Sequence, residues 1–250
     1  MGTAHVLEAI RLSERPTTAV IVTTDKVYEN REWIWAYREE DRLGGHEPYA
    51  ASKAAAELVI AAYRQAFFHP GTGVKMSSVR AGNVIGGGDW STDRLIPDAI
   101  RAFRRNEALI LRNPNATRPW QHVFEPLFGY LDIAMALYEG LQIPSAMNFG
   151  PELKDVQSVG FVSQMMADLW GSGAKVEVQI DKSIRESQLL ALDNSLARSH
   201  LNWAPTLSLE QAISQTITWY KAYSAGNDML QLSLEQLARF ERQYYSNNVT

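Results

Sequence analysis

The 250-residue sequence contains no cysteine, which excludes disulfide bonds and thiolate metal sites and fits a reducing compartment. Long apolar runs are missing too, since none approaches the roughly 20 residues of a membrane span, and the N-terminus does not resemble a signal peptide. A strong charge excess is also absent, because a net charge of -4 gives no general attraction to nucleic acid or anionic membranes. We therefore expect a cytoplasmic protein without nucleic-acid or membrane partners.

Several signatures of enzyme active sites are missing as well. The five histidines are scattered, and no carboxylates cluster at metal-ligand spacing, so we expect no metal site. The Gly-x-Ser-x-Gly pattern of serine hydrolases does not occur. No glycine-rich phosphate-binding turn follows a predicted strand. The chemistry must therefore be sought in other residues.

What the sequence does contain is an alternation of short β-branched runs and longer amphipathic segments. This alternation predicts an α/β fold with a doubly wound parallel sheet. After Asn106 the elements become smaller, which predicts a core over residues 1–106 and an interleaved, mainly substrate-binding C-terminal lobe over 107–250. The predicted helices cover 2–12, 49–68, 94–105, 123–141, 158–170, 195–201, 209–222 and 232–245. The predicted strands cover 19–22, 74–85, 109–111, 146–149 and 175–180.

A tyrosine and a lysine stand four positions apart at the start of a strongly predicted helix. At this spacing Tyr49 and Lys53 lie on one helix face, about one turn apart. A nearby ammonium favours the phenolate form of a tyrosine, which can then remove the proton of a sugar hydroxyl as hydride leaves its carbon. The alternative is an ordinary helix start with a solvated lysine.

Polar residues also end the strand predicted over 19–22. Thr24, Asp25 and Lys26 follow it directly, and open α/β sheets bind their ligands at the carboxyl ends of the strands. Thr24 could donate a hydrogen bond to the oxygen that Tyr49 deprotonates, and Asp25 could serve as a general acid. The alternative is a polar strand-to-loop turn, where Thr and Asp are common.

The strand predicted over 74–85 leads into three consecutive glycines, residues 86–88. They would allow a ligand to approach the backbone closely, or would simply form a tight turn. Arg94, Arg112 and Arg118 follow, and arginine suits bidentate binding of a pyrophosphate. Each of these arginines taken singly could equally be a solvated surface charge.

The order of these motifs resembles the extended short-chain dehydrogenase/reductase proteins, and within them the sugar-nucleotide 4,6-dehydratases, most nearly those acting on CDP-glucose. The resemblance runs from Met1 to about Ala222. Asp25-Lys26 and the run Gly86–Trp90 carry it more specifically than Tyr-x-x-x-Lys does. The matching segments are 24–33, 48–53, 79–90, 93–97 and 118–123.

The resemblance implies a Rossmann-like fold and a hydro-lyase that converts CDP-glucose to its 4-keto-6-deoxy sugar by an NAD-mediated internal hydride transfer. Tyr49 would be the base, Lys53 would hold the cofactor with Tyr49, and Asp25 would be the acid, with Thr24 and Lys26 beside them. Which residue removes the C5 proton stays open, because relatives usually carry an acidic residue where Lys26 stands. A homodimer is implied for the complete protein. The implied substrate-binding residues are Asn83, Arg94, Leu95, Arg112, Arg118, Asn148 and Arg185.

The chain departs from the family pattern at its beginning. Members of the family start with a strand, a glycine-rich turn and a helix that bind the NAD pyrophosphate, and this sequence has none. We therefore expect a fragment or an N-terminally truncated relative that has little activity alone. The alternatives are another extended short-chain epimerase or dehydratase, and a non-catalytic sugar-nucleotide-binding or partner-binding remnant. Thr24-Asp25-Lys26 argues against a simple epimerase, which needs no acid for elimination at C6.

Overall fold

The structure, a computed structural model, describes residues 1–180 and 188–248. These residues form two compact units. Unit 1 consists of Met1–Gly82, Pro126–Gly150 and Leu192–Ala204. Unit 2 consists of the described residues within Asn83–Glu125, Pro151–Ala191 and Pro205–Thr250.

Unit 1 is built on a three-stranded parallel sheet in the order β1-β2-β6. The β-branched composition of the first strand suits a pleated, partly buried position, and a proline in the first turn of α2 fits the start of that helix. The elements of this unit are α1 (Gly2–Ser13), β1 (Thr17–Val22), α2 (Pro48–Ala66), β2 (Val74–Ala81), α4 (Phe124–Glu139, whose first two residues belong to unit 2), β6 (Ala146–Phe149) and α6 (Ser195–Leu201).

The core of unit 1 lies where α1 and α2 cover one face of this sheet. Leu7 and Ile60, one from each helix, are fully buried against Ala19 and Met76 on the strands. The first two strands run in register from Thr17, opposite Val74, to Val22, opposite Val79. Their carboxyl ends therefore meet at one edge, where an α/β sheet places its ligands.

Unit 2 contains two small sheets and four helices. Strand β3 pairs in parallel with β5, which pairs antiparallel with β7, while β4 pairs in parallel with β8. A large apolar cluster holds the unit together and includes the fully buried Ala99, Ile100 and Val162. The elements are β3 (Asn83–Ile85), α3 (Leu95–Arg104), β4 (Ala108–Leu111), β5 (Thr117–His122), β7 (Val156–Ser158), α5 (Val159–Trp170), β8 (Lys175–Val178), α7 (Leu209–Ser224) and α8 (Met229–Asn248).

The α/β class and the parallel strands predicted from the sequence are confirmed, and all eight predicted helices are present. One strand prediction was wrong, and two strands were missed. The single strand expected over 74–85 is interrupted at Gly82, and its two halves pair in different sheets. Strands β5 and β7 were missed, and in β5 Pro119 argues against a strand.

Candidate active site

The end of β1 turns sharply into a short 3-10 helix, Asp25–Val27. Residues 24–26, from here on the Thr-Asp-Lys segment, lie in this turn. The Thr24 hydroxyl donates to Asp25 Oδ1 at 3.0 Å, and its oxygen caps the turn by accepting from the Lys26 N–H at 3.4 Å. Thr24 and Asp25 are buried, whereas Lys26 is exposed. The hydroxyl and the carboxyl predicted to act on the substrate are therefore bonded to each other.

Helix α2 places Tyr49 and Lys53 one turn apart on one face, with the tyrosine 49% exposed. The side chain of Lys26 reaches the start of this helix. Its Nζ lies 3.2 Å from Glu47 Oε1 and 5.8 Å from the centre of the Tyr49 ring. The structure thus brings the Thr-Asp-Lys segment and Tyr49 together. The contact with Glu47 was not predicted, because only the fold brings these two charges into contact.

A second tyrosine belongs to the surroundings of Asp25. Burial raises the pKa of Tyr130 on α4, and the nearby charge of Asp25 raises it further. Tyr130 also packs edge-on against Phe149, with ring centres 5.5 Å apart. This tyrosine was missed from the sequence because nothing in its local pattern distinguishes it from a core residue of a long helix.

Beneath the strand end lies a buried ion pair that sequence reasoning also missed. Arg80 Nε and Nη2 donate to the two carboxylate oxygens of Glu57, each at 2.9 Å, and both side chains are 4% exposed. Burial alone would raise the pKa of Glu57, but the hydrogen bonds and charge of Arg80, with donors on Thr23 and Ser78, outweigh it and lower that pKa. A charged residue inside the apolar stripe of α2 was the available signal, since such a residue needs a buried partner.

Asn148, predicted to bind the substrate, is fully buried beside this ion pair. Its Oδ1 accepts from the Tyr28 hydroxyl at 2.7 Å, and its Nδ2 donates to the carbonyls of Tyr37 at 2.9 Å and Asp193 at 3.2 Å. The amide side chain therefore holds neighbouring segments of unit 1 in place. Its role toward a substrate stays a prediction.

The other predicted substrate-binding residues lie in unit 2. Asn83 on β3 and Arg118 on β5 are half-buried on paired strands, and Arg118 Nη1 donates to the Thr117 carbonyl at 2.8 Å. Arg94 and Arg112 are exposed. The two remaining residues are Leu95, which opens α3 and packs against the apolar cluster, and Arg185, which lies outside the described residues.

The three consecutive glycines serve packing within unit 2. A Cβ atom at Gly87 would lie 2.1 Å from the indole of Trp219, so only glycine fits at that position. Gly88 has a φ of 85°, which glycine adopts without strain. The tight-turn interpretation accounts for this run, because the side chain that approaches the backbone is a tryptophan of the chain itself.

Two buried titratable groups lie three positions apart in the sequence of unit 2. Burial lowers the pKa of His122 to about 4. Burial raises the pKa of Glu125 to about 7, although its carboxylate accepts from the backbone N–H groups of Thr206 and Leu207. Neither residue was singled out from the sequence, because desolvation depends on tertiary packing alone.

Comparison with known proteins decides the family. The family model for GDP-mannose 4,6-dehydratase matches residues 1–216. The chain belongs to this family. It is 44% identical over 245 residues to a CDP-glucose 4,6-dehydratase of Salmonella typhimurium, covering 96% of this chain and 68% of that relative. A dTDP-glucose 4,6-dehydratase of Streptomyces griseus is 26% identical over 202 residues, which are 80% of this chain and 58% of the relative.

Solved structures show that the fold is that of this dehydratase family and its neighbours. The dTDP-glucose 4,6-dehydratase of Bacillus anthracis in complex with NAD superposes with a TM-score of 0.74 at 22% identity, covering 90% of this chain and 68% of that one. A UDP-glucuronic acid 4-epimerase of Bacillus cereus, in complex with UDP-glucuronic acid and NAD, gives a TM-score of 0.75 at 19% identity, covering 88% and 66%. The predicted Rossmann-like fold is therefore confirmed.

Two further properties of the described part of the chain bear on function. None of its helices is long and apolar enough to cross a membrane. Among the same residues, no group of three or more His, Asp or Glu side chains could hold a metal ion.

Proposed function

We propose that this chain carries the catalytic residues of a CDP-glucose 4,6-dehydratase. The observation that carries the proposal is the site of unit 1, where the Thr-Asp-Lys segment meets the start of α2. The identity to the Salmonella relative supports CDP-glucose as the substrate rather than another nucleotide sugar. Unit 1 would perform the chemistry. Asn83, Arg94, Arg112 and Arg118 stay predicted to bind the nucleotide sugar.

The site fits one end of an NAD molecule. A phenol and an ammonium on one face of α2, the first exposed and the second half-buried, suit the hydroxyls of the nicotinamide ribose. The end of β1 offers an apolar surface at the 53% exposed Val22. No glycine-rich strand-turn-helix segment for the pyrophosphate occurs among the described residues. Tyr49 and Lys53 would thus hold the nicotinamide end. When bound, NAD would accept a hydride from one carbon of the sugar and return it to another.

The protein side chains divide the proton transfers among themselves. Tyr49 removes the proton of the C4 hydroxyl, and Thr24 would turn its hydroxyl proton from Asp25 toward the same oxygen. Asp25 protonates the C6 hydroxyl, which leaves as water after C5 has lost its proton. The bond between Thr24 and Asp25 holds these two side chains next to each other at the end of β1. An epimerase would not need a carboxylic acid at this position, so Asp25 favours the dehydratase over the epimerase.

The residue that takes the C5 proton has two candidates in this geometry. Lys26 stands in the expected position, and a lysine accepts a proton only in its uncharged form. Glu47 Oε1 lies 3.2 Å from Lys26 Nζ. Glu47 therefore offers a carboxylate close to the position at which relatives usually carry an acidic residue. Solvent deuterium incorporation at C5 separates the two: if Glu47 is the base, Glu47→Gln abolishes it and Lys26→Met only slows it.

The function is tested by turnover of the complete gene product. With CDP-glucose and NAD it should form a 4-keto-6-deoxy sugar, measured by the absorbance that this product develops in alkali, and act more slowly on UDP-glucose or dTDP-glucose. The 250-residue chain alone should show little or no turnover. Absence of product from the complete gene product would favour a non-catalytic sugar-nucleotide-binding protein.

The role of Tyr49 is tested in the same assay. Tyr49→Phe should lower turnover by roughly 100- to 10,000-fold, the usual contribution of a positioned acid or base. Binding of CDP-glucose, measured by calorimetry, should persist. Tyr63→Phe is the matched control on the same helix, because its hydroxyl contacts Glu8 rather than the site. Loss of CDP-glucose binding in Tyr49→Phe would make Tyr49 a structural residue.

A further inference from the structure

The Thr-Asp-Lys segment is held on both sides by one buried ion pair. Immediately before the segment, the Thr23 hydroxyl donates to Glu57 Oε1 at 2.5 Å. Just after it, the Tyr28 hydroxyl accepts from Arg80 Nη1 at 2.9 Å. Because Arg80 and Glu57 bind each other bidentately, the two anchors of the segment belong to a single rigid unit.

The same ion pair also holds the helix that carries the base. Glu57 lies on α2, one turn beyond Lys53 and two turns beyond Tyr49. Glu57 therefore belongs to the helix of Tyr49, and its carboxylate contacts the end of the strand that leads into the Thr-Asp-Lys segment. Its contact with Thr23 is made at the carboxyl end of β1, next to Thr24 rather than deep in the core.

The carboxylate of Glu57 has no freedom to reorient. Oε1 accepts from Thr23 and Arg80, and Oε2 accepts from Ser78 at 2.7 Å and from Arg80. All lone pairs of the carboxylate are thereby used. In a buried site such a fully bonded charge holds one geometry, because any shift leaves a desolvated donor or acceptor without a partner.

Neutralising the buried charge does not by itself require Thr23. Arg80 already bonds both oxygens of Glu57, so a network that served only stability would not need the Thr23 side chain. The Thr23 N–H already donates to the Val79 carbonyl at 2.8 Å, and its hydroxyl also lies 3.2 Å from that carbonyl. The shorter bond of the hydroxyl to Glu57 adds a direct link from the ion pair to the residue preceding Thr24. The geometry therefore points beyond a purely structural role.

We propose that Thr23 and Glu57 are positioning residues, which fix the Thr-Asp-Lys segment relative to Tyr49 on α2. The proposal rests on the proposed dehydratase function for its catalytic consequence. Its structural content is independent of that function. Displacement of catalytic groups by about 1 Å can lower a rate on the order of a hundredfold, which sets the size of the expected effect.

The catalytic test uses Thr23→Val in the complete gene product, because valine keeps the shape and removes the hydroxyl. We expect kcat to fall on the order of a hundredfold while KM for CDP-glucose stays within about twofold. Thr23→Ser keeps the donor and should restore kcat to within about threefold of the unsubstituted protein. Thr18→Val, on the same strand, is the control and should change neither constant. A Thr23→Val protein with unchanged kcat would overturn the proposal.

A second measurement does not depend on activity. Amide hydrogen exchange of the 250-residue chain should be on the order of tenfold faster for residues 23–27 in Thr23→Val, with exchange in α2 unchanged. If this occurs while the unsubstituted complete gene product shows no turnover, the dehydratase function fails and the positioning role stands. Unchanged exchange at the segment would overturn the positioning role whatever the activity.

Discussion

The two units are stabilised in contrasting ways. Unit 1 buries a connected set of charged and polar side chains centred on Arg80 and Glu57, directly beneath the candidate catalytic residues. Unit 2 is centred on an apolar cluster that includes Ile100 and Phe103. Two of its buried titratable side chains, His122 and Glu125, lie outside that cluster.

The difference shows what each kind of core provides. An apolar core tolerates small changes of shape at modest cost, because its contacts are numerous and non-directional. A buried charge network tolerates none, because each lost partner leaves a desolvated group unpaired. The network occurs in the unit that must hold a phenol, a carboxyl and a hydroxyl in fixed positions, which matches a site that depends on orientation.

The largest expected effect comes from a substitution that breaks the buried charge network of unit 1. Arg80→Met leaves the carboxylate of Glu57 buried without its counter-ion, and we expect a loss of about 3 to 5 kcal/mol in the free energy of unfolding. Urea denaturation followed by circular dichroism measures it. Arg38→Met is the control: its side chain is 76% exposed and 4.0 Å from Asp193, so its loss should stay below about 1 kcal/mol. Equal losses in the two variants would contradict the contrast.

In unit 2, the expected effect of His122 depends on pH. The unfolded chain takes up a proton at this histidine near its ordinary pKa of about 6.5, whereas the folded chain does so only near pH 4. Stability is therefore lost as pH falls from 6.5 to 4, by roughly 3 kcal/mol at about 1.4 kcal/mol per pKa unit. His122→Gln should remove this contribution, so the difference in unfolding free energy between the wild type and the variant should change by roughly that amount between pH 6.5 and 4. His5→Gln, an exposed histidine on α1, should leave the curve unchanged.

Glu125, also in unit 2, should change stability with pH in the direction opposite to His122. The pKa of its carboxyl is raised to about 7, so the folded state binds a proton that the unfolded state has already released. The stabilisation is complete below about pH 4.5 and is lost as pH rises through 7, by roughly 3 kcal/mol. Glu125→Gln should remove this loss, and the exposed Glu107→Gln should not. If the free energy of unfolding rises between pH 5 and 8 in the wild type and rises with the same slope in Glu125→Gln, the expected contribution of Glu125 is excluded.

The smallest expected effect comes from the apolar cluster of unit 2. Ile100→Val removes one methylene from a fully buried site, and we expect a loss of about 1 kcal/mol, independent of pH. Urea denaturation at two pH values measures the size of this loss and shows whether it depends on pH. A loss as large as that of Arg80→Met would remove the contrast between a tolerant apolar core and an intolerant polar one.

Much of the site was visible in local sequence patterns. A β-branched run followed by Thr24 and Asp25 indicated polar groups at a strand end, and the four-residue spacing of Tyr49 and Lys53 indicated one helix face. Other parts were not visible. The bond between Glu57 and Arg80 joins residues 23 positions apart on a helix and a strand, and no local spacing announces it. Strand β5 was hidden by its proline.

By itself, the sequence determined the alternation of helices and strands, the polar end of the first strand and the family of the chain, because periodicity and motif order are local properties. Only the tertiary structure decided which charges are buried, that Lys26 meets Glu47 beside Tyr49, and that Gly87 accommodates an indole rather than a ligand. Burial and pairing depend on parts of the chain far apart in sequence, and desolvation in the folded state sets their energy.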